Sequence, residues 1–187
     1  MLMKNLVSIT SHGGAALLLA VSALAANAQS ESAKPLTADL GTSIPDIQSI
    51  REGLFPEDKC AELMANGFKC MGVKPSITFS LPAVAFAFGS AVLPDSLKRQ
   101  LDVFAEVLSS KRGATSQSVR IVGHADSSGS DAGNTALSQR RAAEVKRYLV
   151  GKGADDKMLV ADGVGSRELL KPEAPTSAEN RRVTLGR

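Results

Sequence analysis

Hydrophobic positions along the chain change period twice between residues 118 and 150. Over residues 118–125, Val119, Ile121 and Gly123 fall on one side, the two-residue repeat of a half-covered strand. A seven-residue polar stretch, residues 127–133, follows Asp126. From Asn134 onward Leu137, Val145, Tyr148 and Leu149 recur at helical spacing, and the helix is predicted to end near Gly151 or Gly153. Upstream, residues 77–88 read as an extended segment, with Pro82 indicating an edge strand or a bend. Pro94 and Asp95 open a helix with Leu97, Leu101, Phe104, Ala105 and Leu108 as its stripe. Residues 158–163 and 182–185 read as two further strands. Strands alternating with helices predict an α/β domain over residues 76–187: a βαβαβ-type two-layer sandwich, a mixed sheet with helices packed on it. Ligands of such sheets gather beyond the carboxyl ends of strands, which is where Asp126 lies.

The pattern before residue 76 is weaker. Residues 13–24 form a short apolar run behind one basic side chain, Lys4, and Ala26-Asn27-Ala28 supplies small residues for a cut before Gln29. Residues 1–28 therefore read as a cleavable secretory signal, too short for a confident membrane span. The expected location is the periplasm, with outer-membrane association possible and no direct membrane span. Residues 29–75 read as a leader and linker. A helix is predicted over residues 44–54, with Pro45 in its first turn and Gly53 and Pro56 stopping it. A second, over residues 59–66, is expected to be capped by Asp58 and ended by Gly67. The region has too few large apolar residues for a core of its own, so it is expected to be a linker or a docking segment stapled by a disulfide, an envelope protein being the candidate partner. Cys60 and Cys70 are the only cysteines. In an exported protein so close a pair is expected to close a disulfide, worth on the order of 2–3 kcal/mol by loop entropy.

Composition narrows the chemistry. Hydrophobic residues make up 43% of the chain and aromatic ones 4%, which suits a compact domain built from Ala, Leu and Val. A formal charge of +3, without a basic run interleaved with aromatics, argues against a nucleic-acid partner. Once the signal is cut, His124 and two cysteines are too few for a four-ligand zinc site. No metal and no cofactor is expected.

Arg141 is the informative charge. It falls four residues after Leu137 and four before Val145, on the inward stripe, while Arg140 is rotated away by about 100°. A buried guanidinium needs an anion. The candidates are an internal carboxylate, from Asp126 or Glu179, or a ligand carboxylate. Spacing alone favours the internal pair. Asn134 reads as a helix cap that could also reach a ligand. Arg181 or Arg182 would reach the same mouth if the last strand lies beside the one ending at Asp126, although Arg182 by itself reads as a structural strand residue. A hydrolase triad of Ser138, His124 and Asp126 is disfavoured. No G-x-S-x-G elbow is present, and a serine inside a helix tends to bond the backbone. Gly163-Val164-Gly165-Ser166-Arg167-Glu168 lacks the third glycine of a dinucleotide loop.

These segments carry a resemblance. Residues 86–93 (FAFGSAVL), 121–129 (IVGHADSSG), 134–149 (NTALSQRRAAEVKRYL), the GVGSRE turn and ENRRV near the end resemble the OmpA C-terminal-like (OmpA/Pal/MotB) peptidoglycan-associating domain family. The likeness covers about residues 77–183. It implies non-covalent, non-enzymatic binding of peptidoglycan through the meso-diaminopimelate of the stem peptide, linking the envelope to the wall. The G-H-x-D aspartate aligns with Asp126 and would receive the ammonium. The second arginine of S-x-R-R-A aligns with Arg141 and would receive a carboxylate. The implied ligand-binding set is Asp126, Arg141, Asn134 and Arg182, and the resemblance tips Arg141 from internal pairing to ligand binding. Three positions depart from the family pattern: Ala125 where a threonine is frequent, Thr184 where an acid is common after N-R-R-V, and Gly89 where an acid is often seen. The alternative is an envelope protein-interaction module that kept the fold.

Overall fold

The computed structural model describes residues 36–82, 86–87, 89–114 and 116–187. The expected signal peptide and the start of the leader lie outside the described residues. Five strands, β1 (Leu36–Asp39), β2 (Ile77–Pro82), β3 (Val119–His124), β4 (Leu159–Gly165) and β5 (Arg182–Gly186), form one sheet in the order β1-β2-β5-β3-β4. β1 runs parallel to β2 and β3 parallel to β4, while β5 is antiparallel to both β2 and β3. Four helices complete the fold: α1 (Ile47–Leu54), α2 (Pro56–Ala65), α3 (Asp95–Ser110) and α4 (Asp131–Gly151). This is the mixed α/β sandwich that the alternating pattern predicts.

Directly opposed residues of neighbouring strands share a face. One such row is Phe79, Leu185, Ile121 and Ala161; the next is Leu81, Val183, Gly123 and Gly163. The helices cover this face. Phe79 meets Phe104 of α3 edge-on at 5.5 Å between ring centres. The second row tapers from leucine to glycine, and α4 descends at the tapered end. A Cβ on Gly123 would overlap the backbone carbonyl of Ser138, and one on Gly163 would overlap the backbone of Gln139. Ser138 locks this approach. Its hydroxyl donates to the Thr135 carbonyl at 2.9 Å and accepts the Gly165 N–H at 2.9 Å. Around it Arg141, Ala142, Val145 and Leu149 are buried, while Arg140 is exposed.

Several expectations are corrected. The segment read as leader supplies β1, which pairs with β2 from Leu36↔Ile77 to Asp39↔Ser80. Four residues carry no periodicity of their own; the partner strand dictates the conformation. β2 is therefore interior. Pro82 is tolerated because it ends β2, beyond the last residue of β1. The segment read as linker puts Ile50, Leu54 and Phe55 into the common core. Gly53 does not stop α1; it lies inside it, where any Cβ would strike the Phe79 ring. Asp46 caps α1, accepting the Ser49 N–H at 2.9 Å. Pro56 opens α2 rather than merely ending α1, so Asp58 sits in its first turn and is not its cap. Cys60 and Cys70 are joined.

On the opposite face of the sheet, His124 of β3 stands beside Arg182 of β5. Its Nε2 meets the Thr184 hydroxyl at 3.3 Å, and it is buried. Burial, and then the charge of Arg182, lower its pKa from the ordinary 6.5 to about 3.

This packing makes two outcomes measurable. Gly123→Ala and Gly163→Ala should each cost at least about 1–3 kcal/mol, because the backbone of α4 must move away. Gly151→Ala, with open space around it, should be neutral or mildly stabilising. Denaturant unfolding measures the difference. His124 stays neutral in the folded chain at pH values where the unfolded chain takes up its proton. The associated stability is thus present above about pH 6.5 and lost as pH falls toward about 3, by up to about 1.4 kcal/mol per unit. Unfolding free energies of wild type and His124→Gln should converge on acidification over that window; parallel curves would contradict the assignment.

Candidate functional site

The candidate site begins where β3 ends. A register shift at Gly123/His124 brings His124 opposite Gly165, and the Ala125 N–H donates to the Gly165 carbonyl at 2.8 Å. Asp126 then turns the chain, its Oδ1 accepting the Ser128 N–H at 2.9 Å. Gly129 takes a φ of +84°, which a side chain would strain. Ser130 caps α4 by accepting the Gly133 N–H at 3.2 Å. The helix thus starts three residues before Asn134, which is not its cap. Asn134 braces the loop instead. Its Nδ2 donates to the Asp126 carbonyl at 3.0 Å and to the Ser128 carbonyl at 2.9 Å.

Asp126 and Arg141 face one cavity of about 600 Å³ without joining each other. The Asp126 carboxylate pairs with Arg181, Nη1 to Oδ2 at 2.5 Å. Burial alone would push its pKa up. The hydrogen bonds from Arg181 and Ser128 outweigh that effect and hold it below the usual carboxylate value. Arg141 is only 4% exposed. Its guanidinium lies over the Phe86 ring, 4.8 Å from the ring centre, and its Nε donates to the Ser90 carbonyl at 3.0 Å. Among the described residues no carboxylate pairs with it. Burial, and then the charge of Arg181, lower its pKa from the ordinary arginine value, while Asp126 opposes them.

The cavity is lined by Phe86, Gly89, Ala125, Asp126, Ser128, Gly129, Ser130, Gly133, Asn134, Leu137, Arg140, Arg141 and Arg181. Three guanidinium groups thus surround one carboxylate. The first turn of α4 adds the positive end of a 21-residue helix. Such a site favours an anionic group, and paired guanidinium donors suit a carboxylate. Each oxygen of Asp126 retains acceptor capacity beyond its present hydrogen bond.

Of the four residues implied for ligand binding, the structure gathers three: Asp126, Asn134 and Arg141. Arg182 is elsewhere. It is buried on the other face, donating to the carbonyls of Glu168 at 3.1 Å and Asn180 at 3.3 Å. Strand parity explains the difference. Val183 and Leu185 face the helices, so Arg181 lies on their side and Arg182 with Thr184 and His124 on the other. Parity is the signal that would have chosen Arg181. Nothing in the sequence pattern singles out Phe86 and Ser90, which meet Arg141 only after the chain has folded. Ser138, His124 and Asp126 form no relay: their partners are backbone groups, Thr184 and Arg181 respectively.

Comparison with known proteins places this arrangement. The profile of the OmpA family matches residues 85–182. Outer membrane protein A of Bordetella avium is 30% identical over 146 residues, covering 77% of this chain and 68% of that protein. Outer membrane protein P5 of Haemophilus influenzae is 41% identical over 91 residues, which span 48% of this chain but only 25% of P5. Among solved structures, a MotB-like protein from Desulfovibrio vulgaris matches with a TM-score of 0.51 and 26% identity, covering 75% of this chain and 93% of that one. The peptidoglycan-associated lipoprotein from Burkholderia pseudomallei shares 30% identity, covering 55% of this chain and 86% of its own, at a TM-score of 0.48. The profile match reaches from just before Phe86 to Arg182 and so takes in every residue around the cavity: this chain belongs to the OmpA family.

Proposed function

We propose that this chain binds peptidoglycan in the cell envelope, without covalent chemistry, through the diaminopimelate of uncrosslinked stem peptides. The observation that carries this reading is Arg141, a buried guanidinium that opens on a cavity and pairs with no carboxylate among the described residues. The free end of diaminopimelate is a zwitterion. Its carboxylate matches Arg141, and its ammonium matches the Asp126 carboxylate. Arg181 holds that carboxylate ionised and aimed. Asn134 keeps the loop in place for both contacts. The outer-membrane relatives support the same compartment.

Each charge-assisted hydrogen bond is worth about 1.5–3 kcal/mol, less at a wet rim. One pocket therefore binds weakly, and a sacculus that repeats the ligand raises the effective affinity. In this reading residues 1–28 direct export and are removed, residues 76–187 carry the pocket, and the chain works in the periplasm.

Co-sedimentation of residues 29–187 with purified sacculi tests the proposal. Asp126→Ala and Arg141→Ala should each weaken binding by about tenfold or more. The exposed control Lys157→Ala should bind like wild type. A stem peptide carrying meso-diaminopimelate should compete, whereas the same peptide with lysine in that place, whose free side-chain end has an ammonium but no carboxylate, should not. No soluble wall fragment should appear. Equal sedimentation of wild type and both pocket variants would refute the reading and leave the domain as a protein-interaction module.

A further inference from the structure

Exposed apolar side chains are concentrated at one place. Six of the large ones among the described residues, Leu36, Ile44, Met64, Phe68, Met71 and Val73, precede β2. All six lie outside the OmpA-family match, which starts at residue 85. Four of them fall between Met64 and Val73, at the end of α2 and in the turn that follows it.

That turn is held rigidly. The Phe68 N–H donates to the Leu63 carbonyl at 2.9 Å and the Gly67 N–H to the Met64 carbonyl at 3.0 Å, with Gly67 at φ +80°. This is a paired closure of the helix C-terminus through a left-handed glycine. Two residues beyond Phe68, the Cys60–Cys70 disulfide ties the chain back to α2. Phe68 is thus pinned on both sides while 64% exposed, and Met71 beyond the disulfide is 96% exposed. The fold holds these side chains in water.

Charge along the tip segment itself is of one sign, while Lys74 also lines a groove with Asp46 and Glu52. Residues 68–74, FKCMGVK, hold two lysines and no acid. The nearby acids of α2 are already engaged: Glu57 with Arg187, Asp58 with Lys111 and Glu62 with Lys59. Lys69 and Lys74 have no such partner among the described residues. Protein–protein interfaces are depleted in lysine. Large apolar side chains interleaved with lysines suit the interface of a bilayer, where the rings and thioethers enter the acyl boundary and the long stems lift the ammonium groups to the headgroups. No described helix is long and apolar enough to cross a membrane, so such contact would be peripheral.

The helix that leads to the tip starts away from the cavity. β5 starts beside Arg181, in the cavity, and finishes beside Arg187, whose Nη1 donates to Glu57 of α2 at 2.7 Å. The strand between them spans roughly 17–20 Å. The pocket and the start of α2 therefore lie at opposite ends of β5.

We propose that the Phe68–Met71 tip is a membrane-interface anchor for bilayers carrying anionic phospholipid, with Lys69 and Lys74 on the headgroups. It goes beyond the wall-binding reading and does not depend on it.

The chain contains no tryptophan, so Phe68→Trp places a single reporter at the tip. Residues 29–187, which contain the whole compact unit 34–187, are mixed with phosphatidylcholine vesicles, with or without phosphatidylglycerol. The proposal expects flotation with the anionic vesicles and a blue shift of the indole emission from the Phe68→Trp variant. Phe68→Ser with Met71→Ser should lower vesicle binding by about tenfold or more. Lys69→Gln with Lys74→Gln should remove the preference for phosphatidylglycerol. Asp126→Ala should leave vesicle binding unchanged, which separates this result from the fate of the pocket. The absence of flotation, or equal flotation of the double-serine variant, would overturn the proposal. So would tip-dependent self-association or protein capture without affinity for vesicles.

Discussion

A guanidinium sealed against an aromatic ring, with no carboxylate of its own among the described residues, is the constraint around which the site is built. Arg141 is buried because α4 is buried, and α4 is deep because Gly123 and Gly163 leave no side chain beneath it. Phe86 and the Ser90 carbonyl satisfy part of the charged group. The remainder faces the cavity. Asp126 does not pair with it; that carboxylate pairs with Arg181 instead. The fold thus keeps an acid and a base apart on one cavity, where a direct ion pair would have closed it.

The sheet that builds the site also organises the rest. Its helix-covered face carries the apolar rows and the glycine taper, and its other face carries Arg182 and His124. β5 is the divide between them. Its alternation sends Arg181 to the cavity side and Arg182 to the carbonyls of Glu168 and Asn180. Two adjacent arginines therefore serve unrelated ends, one electrostatic at the cavity and one structural beneath the sheet. The same strand finishes at Arg187, which fastens α2 and its stapled turn to the domain.

Legibility in the sequence follows the strength of local pattern. α3 and α4 show themselves through long apolar stripes, and Arg141 is separable from Arg140 by rotation alone. β3, β4 and β5 are visible because they alternate or sit between turn residues. β1 is not, since four residues cannot show a period and a neighbouring strand supplies the conformation. Gly53 and Pro56 mislead for a related reason. Each is a breaker by local propensity, but Gly53 serves a contact with Phe79 and Pro56 fits the first position of a new helix. Asn134 reads as a cap only because the apolar stripe does not reach back to the serine at which the helix begins. Choosing Arg182 over Arg181 is an error of parity that the register of β5 corrects.

The most direct test of the account is a crystal structure with a diaminopimelate-containing stem peptide bound. The account predicts the ligand carboxylate on the Arg141 guanidinium, the ligand ammonium on Asp126 with Arg181 still paired, and little movement of α4. A complex in which Arg141 has swung onto Asp126 and the peptide binds elsewhere would contradict it.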